Sequence, residues 1–586
     1  MRHFLENIST RKAILIIIVV GLIVYSGSLF NGFVWDDQYQ IINNLLVHSI
    51  SNISHFFSGS TFYVQGQSNL QGLYYKPLLT TFYALIYSVF GQNAFFFHFF
   101  QLALHIIGSI ILFLIFRKFF NSFTSLFITL VFLIHPLNAE AVVYIADLQD
   151  ILFFFFGILA LYLIQLGNQK TKTKAIMFFL LLASLLSKEA GVLFLPLTLV
   201  YVTLFKKEKL LFYSFLNGAV FITYLLIRFL MIGIPGNGIL KSGFAPIIKA
   251  TLFERLMTIP AIILYYVKNF FYPSNLFICQ QWVVRTAGIE SFFLPLFITV
   301  LFFLFIHAYG IFLWRSKNIN YKVFLFFFSW LILGLAAHVQ IIPLDFTVST
   351  RWFYFPIVGL LGLLAVLYNN FVQKKHLNKT FLFLVGILIL IGLGFGTISR
   401  NLNWRDSLTL FSHDEKVNQS FDLENLLGVE LFKVGENDQA MVHFKISTEL
   451  APTWSSNWNN LGYIYILKSD LGNAEKSLQT AINNTPMPFK YVSYRDANDF
   501  TAYKLMAELL FYNEKDFKRT IGFLNKALIP YPDNAEFWKI KAVAEYKLGN
   551  QESAIEAANK LIELSPTSES YAIYFSIENK KKIDIK

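Results

Sequence analysis

Asp36 and Asp37 stand side by side in Asn31-Gly32-Phe33-Val34-Trp35-Asp36-Asp37, a few residues beyond the uncharged run Ala13 to Phe30. Two adjacent carboxylates in a short loop repel, raising one pKa toward a value useful for accepting a proton while the other stays ionised. Such a pair suits general-base chemistry at a membrane surface. Neighbouring side chains on extended backbone point opposite ways, so one carboxylate faces a substrate and the other caps a helix beginning near Gln38. Asp36 is the preferred base and Asp37 the alternative. The plainer reading of the pair is a solvated loop cap.

The element that must place this pair is a membrane span. Ala13 to Phe30 is 18 residues long, and at about 1.5 Å per residue it nearly matches a hydrocarbon core of about 30 Å. Arg11 and Lys12 before it hold the N-terminus in the cytoplasm, which puts the aspartates outside. No small-residue cleavage site follows and similar runs recur to Ile398, so this is a first span and not a removed signal peptide. Spans are expected near 13–30, 94–116, 121–136, 149–167, 175–187, 190–205, 210–232, 291–314, 322–341, 352–369 and 379–398. Residues 256–272, bracketed by Glu254-Arg255 and Lys268, read as an interfacial or re-entrant segment.

Charge divides the chain at the same place as hydropathy. Residues 1–398 hold 26 Lys and Arg against 11 Asp and Glu, and residues 399–586 hold 22 against 25, so the net charge of +12 belongs to the first part. Its basic clusters (Arg117-Lys118, Lys170 to Lys174, Lys206 to Lys209, Arg315 to Lys322, Lys374-Lys375) each flank an apolar run. Topology and anionic membrane lipids explain them; nucleic acid is not an expected partner. The topology puts nine of the eleven acids near the outer face. Lys76, Lys188, Arg228, Arg255, Arg351 and Arg400 fall there too, where they bind an anion or neutralise carboxylates. One cysteine, Cys279, excludes an internal disulfide.

The C-terminal part repeats every 34 residues: Gly428 with Gly462, Ala440 with Ala474, Pro452 with Pro486, then Tyr512 with Tyr546 and Pro532 with Pro566. That period and pattern mark tetratricopeptide repeats. The expected architecture is all-α: a transmembrane helical domain over 1–398 with about eleven spans, a linker over 399–420, about four repeats forming an α-solenoid over 421–567, and a C-terminal tail over 568–586. An insert near 489–498 offsets the two repeat pairs. Such arrays present a groove for a peptide or partner protein, or serve as scaffold.

The ordered series Phe33-Val34-Trp35-Asp36-Asp37, Tyr75-Lys76-Pro77-Leu78, His135-Pro136-Leu137-Asn138-Ala139-Glu140, Asp150, Lys188-Glu189, Arg351-Trp352-Phe353-Tyr354 and Arg400-Asn401, followed by the repeats, resembles membrane glycosyltransferases of the GT-C fold class. Within that class it looks most like the transmembrane and tetratricopeptide-repeat O-mannosyltransferase family and its prokaryotic relatives. The resemblance implies a polyprenyl-phosphate-linked sugar donor, mannose among the candidates. It also implies a hydroxyl acceptor, Ser or Thr of a protein in the eukaryotic members, and an active site outside a bacterial or archaeal plasma membrane. The chain departs from the family at Asp147-Leu148, where Gly-Arg is usual, at Lys76 in place of Arg, and at Thr350 in place of Glu. Sugar and acceptor identity stay open there.

In this chemistry the acceptor hydroxyl needs a base, and the leaving phosphate needs a cation in a site kept dry. Lys76, His135, Glu140, Asp147, Asp150, Lys188, Glu189 and Arg351 are the candidate donor-phosphate or acceptor contacts. Asp147 or Asp150, at the entrance to span 149–167, could orient the acceptor or, with Asp36, hold a divalent cation; helix-dipole stabilisation is the alternative. Lys188 with Glu189 reads as a buried ion pair, and Arg351 as a phosphate clamp or an interfacial anchor. His98 and His105 lie about 10 Å apart along one helix, too far to share a metal, and read as packing or hydrogen-bonding histidines. Two other classes compete: a lipid-linked-substrate transporter, and a membrane-anchored repeat scaffold for exported proteins.

Overall fold

A computed structural model describes residues 8–59, 61, 74–167, 170–232, 245–374, 379–485 and 501–583. Pro486 and the 489–498 insert lie outside them. The chain is all-helical: among the described residues the only β-type pairing is one isolated antiparallel bridge, Gln280 with Val348. It forms two compact units, Met1–Asn418 and Gln419–Lys586.

In the first unit, six described helical stretches are long and apolar enough to cross a membrane: Thr10–Phe30, Ala94–Phe116, Ile145–Leu166, Lys207–Ile232, Ile289–Arg315 and Phe381–Asn403. Ser122–Ile134 with Pro136–Val143 adds a seventh if that pair, bent by 49°, is one span. The expected segments at 175–187, 190–205, 322–341 and 352–369 are each largely helical, but the count of eleven is not established. Tyr321–Ala336, for one, stops short of residue 341, and 337–349 is irregular. Pro77–Phe90 is a further short apolar helix that was not expected as a span. Residues 252–271 form one continuous helix, started by a Thr251–Glu254 capping box and carrying Pro260 in its interior.

Local sequence sets these boundaries. Asn93 and Asn121 cap their helices by accepting from Phe95 N–H (3.2 Å) and Thr124 N–H (2.9 Å). Gly167, at φ +74°, ends Leu148–Leu166 in the left-handed conformation. The chain returns as Thr171–Ser187, tied back where Ser184 Oγ donates to the Phe153 carbonyl (2.7 Å). The 3-10 turn Glu189–Leu193 then presses backbone to backbone: a Cβ on Gly191 would stand 2.4 Å from the Ser184 carbonyl carbon. Gly191→Ala is expected to displace this turn and cost about 1–3 kcal/mol. Thermal melting of the purified variant in detergent checks it; a wild-type transition would mean the turn shifts freely.

Residues 399–418 are no linker. Helix Lys379–Asn403 runs into their first five residues, helix Ser407–Val417 follows, and Trp404 and Asp414 are fully buried in the first unit. Arg400 meets Asp414 through two parallel bonds (2.6 and 2.9 Å), and Asp414 also accepts from Ile278 N–H (2.9 Å). The physical reason is that polar residues gain burial here by pairing with one another.

The second unit is a stack of helix pairs: Phe421–Lys433 with Asn437–Leu450, Ser455–Leu467 with Leu471–Asn484, and Ala535–Lys547 with Gln551–Leu564. Thr501–Asn513, whose last turn is π-helical, pairs with Phe517–Ala527. The 34-residue period is a packing period. Ala440, Ala474, Thr520 and Ala554 are each fully buried at equivalent positions, and Gly428 and Gly462 make room for Phe444 and Leu478. The segment expected as a tail opens with the helix Ser568–Glu578, whose Ile573 and Ile577 complete the last apolar cluster. This helix covers apolar residues of the helix pair before it.

Candidate active site

The first loop leaves one carboxylate available and consumes the other. Asp37 is buried, and its two oxygens accept from Val34 N–H and Ala146 N–H at 2.8 Å each. It precedes the π-turn Gln38–Ile42 without capping it through its side chain. Asp36 is half-buried beside Tyr144, whose hydroxyl accepts from the Asp36 N–H (3.1 Å) and also bonds the carboxylate. Burial pushes the Asp36 carboxyl above its usual range, against the pull of Arg351 and the Tyr144 hydroxyl; Asp345 adds to the rise. Burial pushes Asp37 up further, against its two backbone hydrogen bonds.

Trp35 holds a left-handed conformation (φ +53°), which a bulky residue adopts at a cost of about 1–3 kcal/mol. The surroundings fix it: Trp35 N–H donates to Ser407 Oγ (3.1 Å), its ring stacks on Tyr144 (5.7 Å), and Gly32 N–H donates to the Arg405 carbonyl (2.9 Å). The end of the last apolar helix thus sets where Asp36 sits.

The remaining charges sort into pairs. Arg351 Nη1 contacts Glu140 Oε1 (2.8 Å) and Asp147 Oδ2 (3.3 Å), and Glu140 also accepts from Ser349 Oγ (3.0 Å), Thr350 Oγ1 and Arg351 N–H (3.1 Å). Burial opposes the Arg351 charge, yet Asp147 and Glu140 hold its pKa well above the usual value. Lys188 Nζ reaches both Asp150 oxygens at 2.7 Å, and Glu189 accepts from Arg228 Nη1 (3.2 Å) and Tyr75 N–H (3.1 Å). Lys188 and Glu189 are therefore not each other's partners: Lys188 is extended (φ −161°, ψ 143°), which sends consecutive side chains apart.

Four of the six cations expected at the outer face, Lys188, Arg228, Arg351 and Arg400, thus neutralise carboxylates. Arg351 is no open clamp, since Nη1 is taken, although its buried Nε has no hydrogen-bond partner among the described residues. Lys76 differs. It is 8% exposed, and among the described residues its ammonium has no hydrogen-bonded or ion-pair partner, resting 4.0 Å from the Tyr74 ring centroid. Burial pulls the Lys76 pKa down while Glu189 pulls it back up. The Tyr74 hydroxyl donates to Asp345 Oδ2 (2.6 Å).

His135 is not free to join this cluster. Its Nε2 bonds the Phe270 carbonyl (3.0 Å), its Nδ1 accepts from Leu137 N–H (3.2 Å), and its ring stacks on Phe270, so it closes the turn Pro136–Asn138. His105 bonds Tyr354 OH (2.7 Å) and the Leu133 carbonyl (2.9 Å). A cation shared by Asp36 and Asp150 finds no support, because Lys188 occupies both Asp150 oxygens. Among the described residues no three His, Cys, Asp or Glu side chains gather to hold a metal.

The framework of the site has no signature in the sequence. The segment carrying Asp345 and Arg351 is held by 280–282: Thr347 N–H donates to the Gln280 carbonyl (2.9 Å), Trp282 N–H donates to Thr347 Oγ1 (3.1 Å), and Gln281 Nε2 donates to the Asp345 carbonyl (3.1 Å). Tyr74, Tyr144, Gln280 and Thr347 carry no local motif; only their place in space marks them.

A tetratricopeptide-repeat family model matches residues 455–486 and 535–568. The chain is 24% identical over 596 aligned positions to the mouse protein O-mannosyl-transferase TMTC3, covering 96% of this chain and 64% of that protein. The human TMTC3 is 23% identical with 96% and 65% covered. The Caenorhabditis elegans protein O-mannosyl-transferase F38B6.6 is 23% identical, covering 68% of this chain and 57% of its own length. The chain therefore resembles this transmembrane and tetratricopeptide-repeat family along nearly its whole length, while spanning just under two thirds of the first two relatives.

Proposed function

We propose that this membrane protein is a glycosyltransferase moving a sugar, mannose by its resemblance to the O-mannosyl-transferases, from a polyprenyl-phosphate donor to a hydroxyl. We take a protein Ser or Thr as acceptor and the exterior face as the side of transfer. The observation that carries this reading is the contrast within the charged cluster. Among the described residues most charges meet one of opposite sign, whereas Asp36 is a half-buried base and Lys76 a buried cation that do not; Arg255 and the exposed Asp345 also lack such a partner.

Each has a step to perform. The acceptor oxygen forms its bond to the anomeric carbon as Asp36 takes the hydroxyl proton, and the bond from that carbon to the phosphate oxygen breaks. The leaving polyprenyl phosphate gains negative charge, which the desolvated Lys76 ammonium stabilises more than it could in water. Glu140, Asp147, Asp150, Lys188, Glu189 and Arg351 act as the rigid frame, with Arg351 Nε the donor left to touch the phosphate.

Purified protein incubated with a panel of polyprenyl-phosphate sugars and Ser/Thr peptides, with release of lipid phosphate followed by mass spectrometry, tests this. Lys76→Gln is expected to lower turnover by about 10²–10³-fold, as when one charge-stabilising donor is removed. Its melting should be unchanged or higher: a Lys with a depressed folded pKa costs stability while charged, so removing the charge relieves that cost at neutral pH. Full turnover by Lys76→Gln would remove the lysine from the reaction. No release from any donor by wild-type protein would favour the transporter or scaffold readings.

The repeats would then select the acceptor. Deleting 421–567 is expected to broaden or abolish acceptor choice while donor-lipid binding persists; an unchanged acceptor range would leave the repeats as scaffold.

A further inference from the structure

The turn between the helices Leu294–Arg315 and Tyr321–Ala336 carries charges that the proposed reaction does not use. Arg315, Lys317 and Lys322 line a cavity of about 720 Å³ together with Trp314, Asn318 and Tyr321. No acidic residue lines it, and among the described residues none of the three cations meets a carboxylate. The other basic clusters are partly committed: Lys206 donates to the Ile164 and Gln165 carbonyls (2.7 and 3.0 Å), and Lys174 lies over the Phe212 ring.

The turn is preorganised without help from these cations. Lys317 takes the left-handed conformation (φ +49°), and Asn318 N–H reaches back to the Leu313 carbonyl (3.0 Å), closing the helix end. Ser316 Oγ donates to the Phe312 carbonyl (2.7 Å) and Lys317 N–H to that of Trp314 (3.0 Å), so the last carbonyls are satisfied without the basic side chains. Asn318 and Asn320 both donate to Asn370 Oδ1 (3.3 and 3.1 Å), and Asn370 Nδ2 donates to Tyr309 OH (2.8 Å), anchoring the turn to the neighbouring helix. Beside the cations, Trp314 and Ile319 are 61% and 90% exposed. Large apolar groups flanking unpaired charge at the end of a membrane-long helix match the boundary between acyl chain and headgroup.

We propose that this turn is a binding site for the phosphodiester headgroup of an anionic phospholipid. Arg315, Lys317 and Lys322 meet the phosphate while Trp314 and Ile319 lie against the acyl region. The protein is delipidated in detergent and titrated with phosphatidylglycerol, and bound lipid is counted by native mass spectrometry. Each cation near an anionic surface is worth roughly a fivefold change in affinity. The triple variant Arg315→Gln/Lys317→Gln/Lys322→Gln is therefore expected to bind phosphatidylglycerol at least about tenfold more weakly, with phosphatidylcholine adducts unchanged. A control of equal charge, Lys170→Gln/Lys172→Gln/Lys174→Gln, should stay within about twofold of wild type if the binding is local. The proposal is overturned if the triple variant binds like wild type, or if the control loses as much, which would make the effect one of net charge. It is equally overturned if millimolar inorganic phosphate displaces phosphatidylglycerol as well as added lipid does, which would make this a free-phosphate site.

Discussion

Asp36→Asn lowers sugar transfer by about 10²–10⁴-fold and leaves the melting transition in place, the size expected for losing a general base. Asp37→Asn does the reverse in kind, destabilising the protein by about 1–3 kcal/mol because one of two buried backbone N–H groups loses its acceptor. The difference follows from the loop geometry: Asp37 oxygens are bonded to two backbone N–H groups, Val34 and Ala146, whereas the half-buried Asp36 carboxylate has, among the described residues, a hydrogen bond only to the Tyr144 hydroxyl. The Asp36 pKa is raised in the fold, so whatever stability its carboxyl gives is complete below the unfolded pKa of about 3.9 and is lost as pH rises through the folded one. At neutral pH the amide therefore costs the fold little. Activity runs the other way, since the base must be ionised: the acid limb of kcat/KM should lie above the usual carboxylate range and vanish in Asp36→Asn. An active Asp36→Asn enzyme with an unmoved acid limb would end the assignment.

Much of the architecture was legible because it is written in short-range periodicity. An uncharged run of 18 residues after Arg11-Lys12 is a span by length alone, and a 34-residue recurrence of Gly, Ala and Pro is a repeat by spacing alone. Helices below that length carry no such signal: Pro77–Phe90 and Tyr321–Ala336 are apolar but short, so a count made from hydropathy drifts. Partner choice among the charges was the least legible feature. Lys188 and Glu189 are adjacent, yet their partners Asp150 and Arg228 lie 38 and 39 positions away in opposite directions along the chain. The same holds for Arg351, whose carboxylates are 204 and 211 positions distant. Which cation is left over for a phosphate is a remainder, and a remainder is known only after every pair has formed.

Removing Arg351 should produce the largest loss of stability in the first unit. Arg351→Met leaves Glu140 and Asp147, both nearly fully buried, without a cation, and stranding a buried charge in this way costs about 3–5 kcal/mol. Arg351→Lys should fall between, because a single ammonium cannot reproduce both the Nη1 contacts and the Nε donor of the planar group. The double variant Arg351→Met/Glu140→Gln recovers part of the loss, since one of the two stranded carboxylates is then neutral. A coupling of about 1–3 kcal/mol in that cycle is the signature of a structural pair. Purely additive losses would contradict it. The same variants separate the frame from the phosphate contact. If Arg351 only holds Glu140 and Asp147, turnover per folded molecule survives in Arg351→Lys while Tm drops. If the free Nε bears on the leaving phosphate, Arg351→Lys loses turnover out of proportion to Tm, and the cation that Lys76 supplies is one of two.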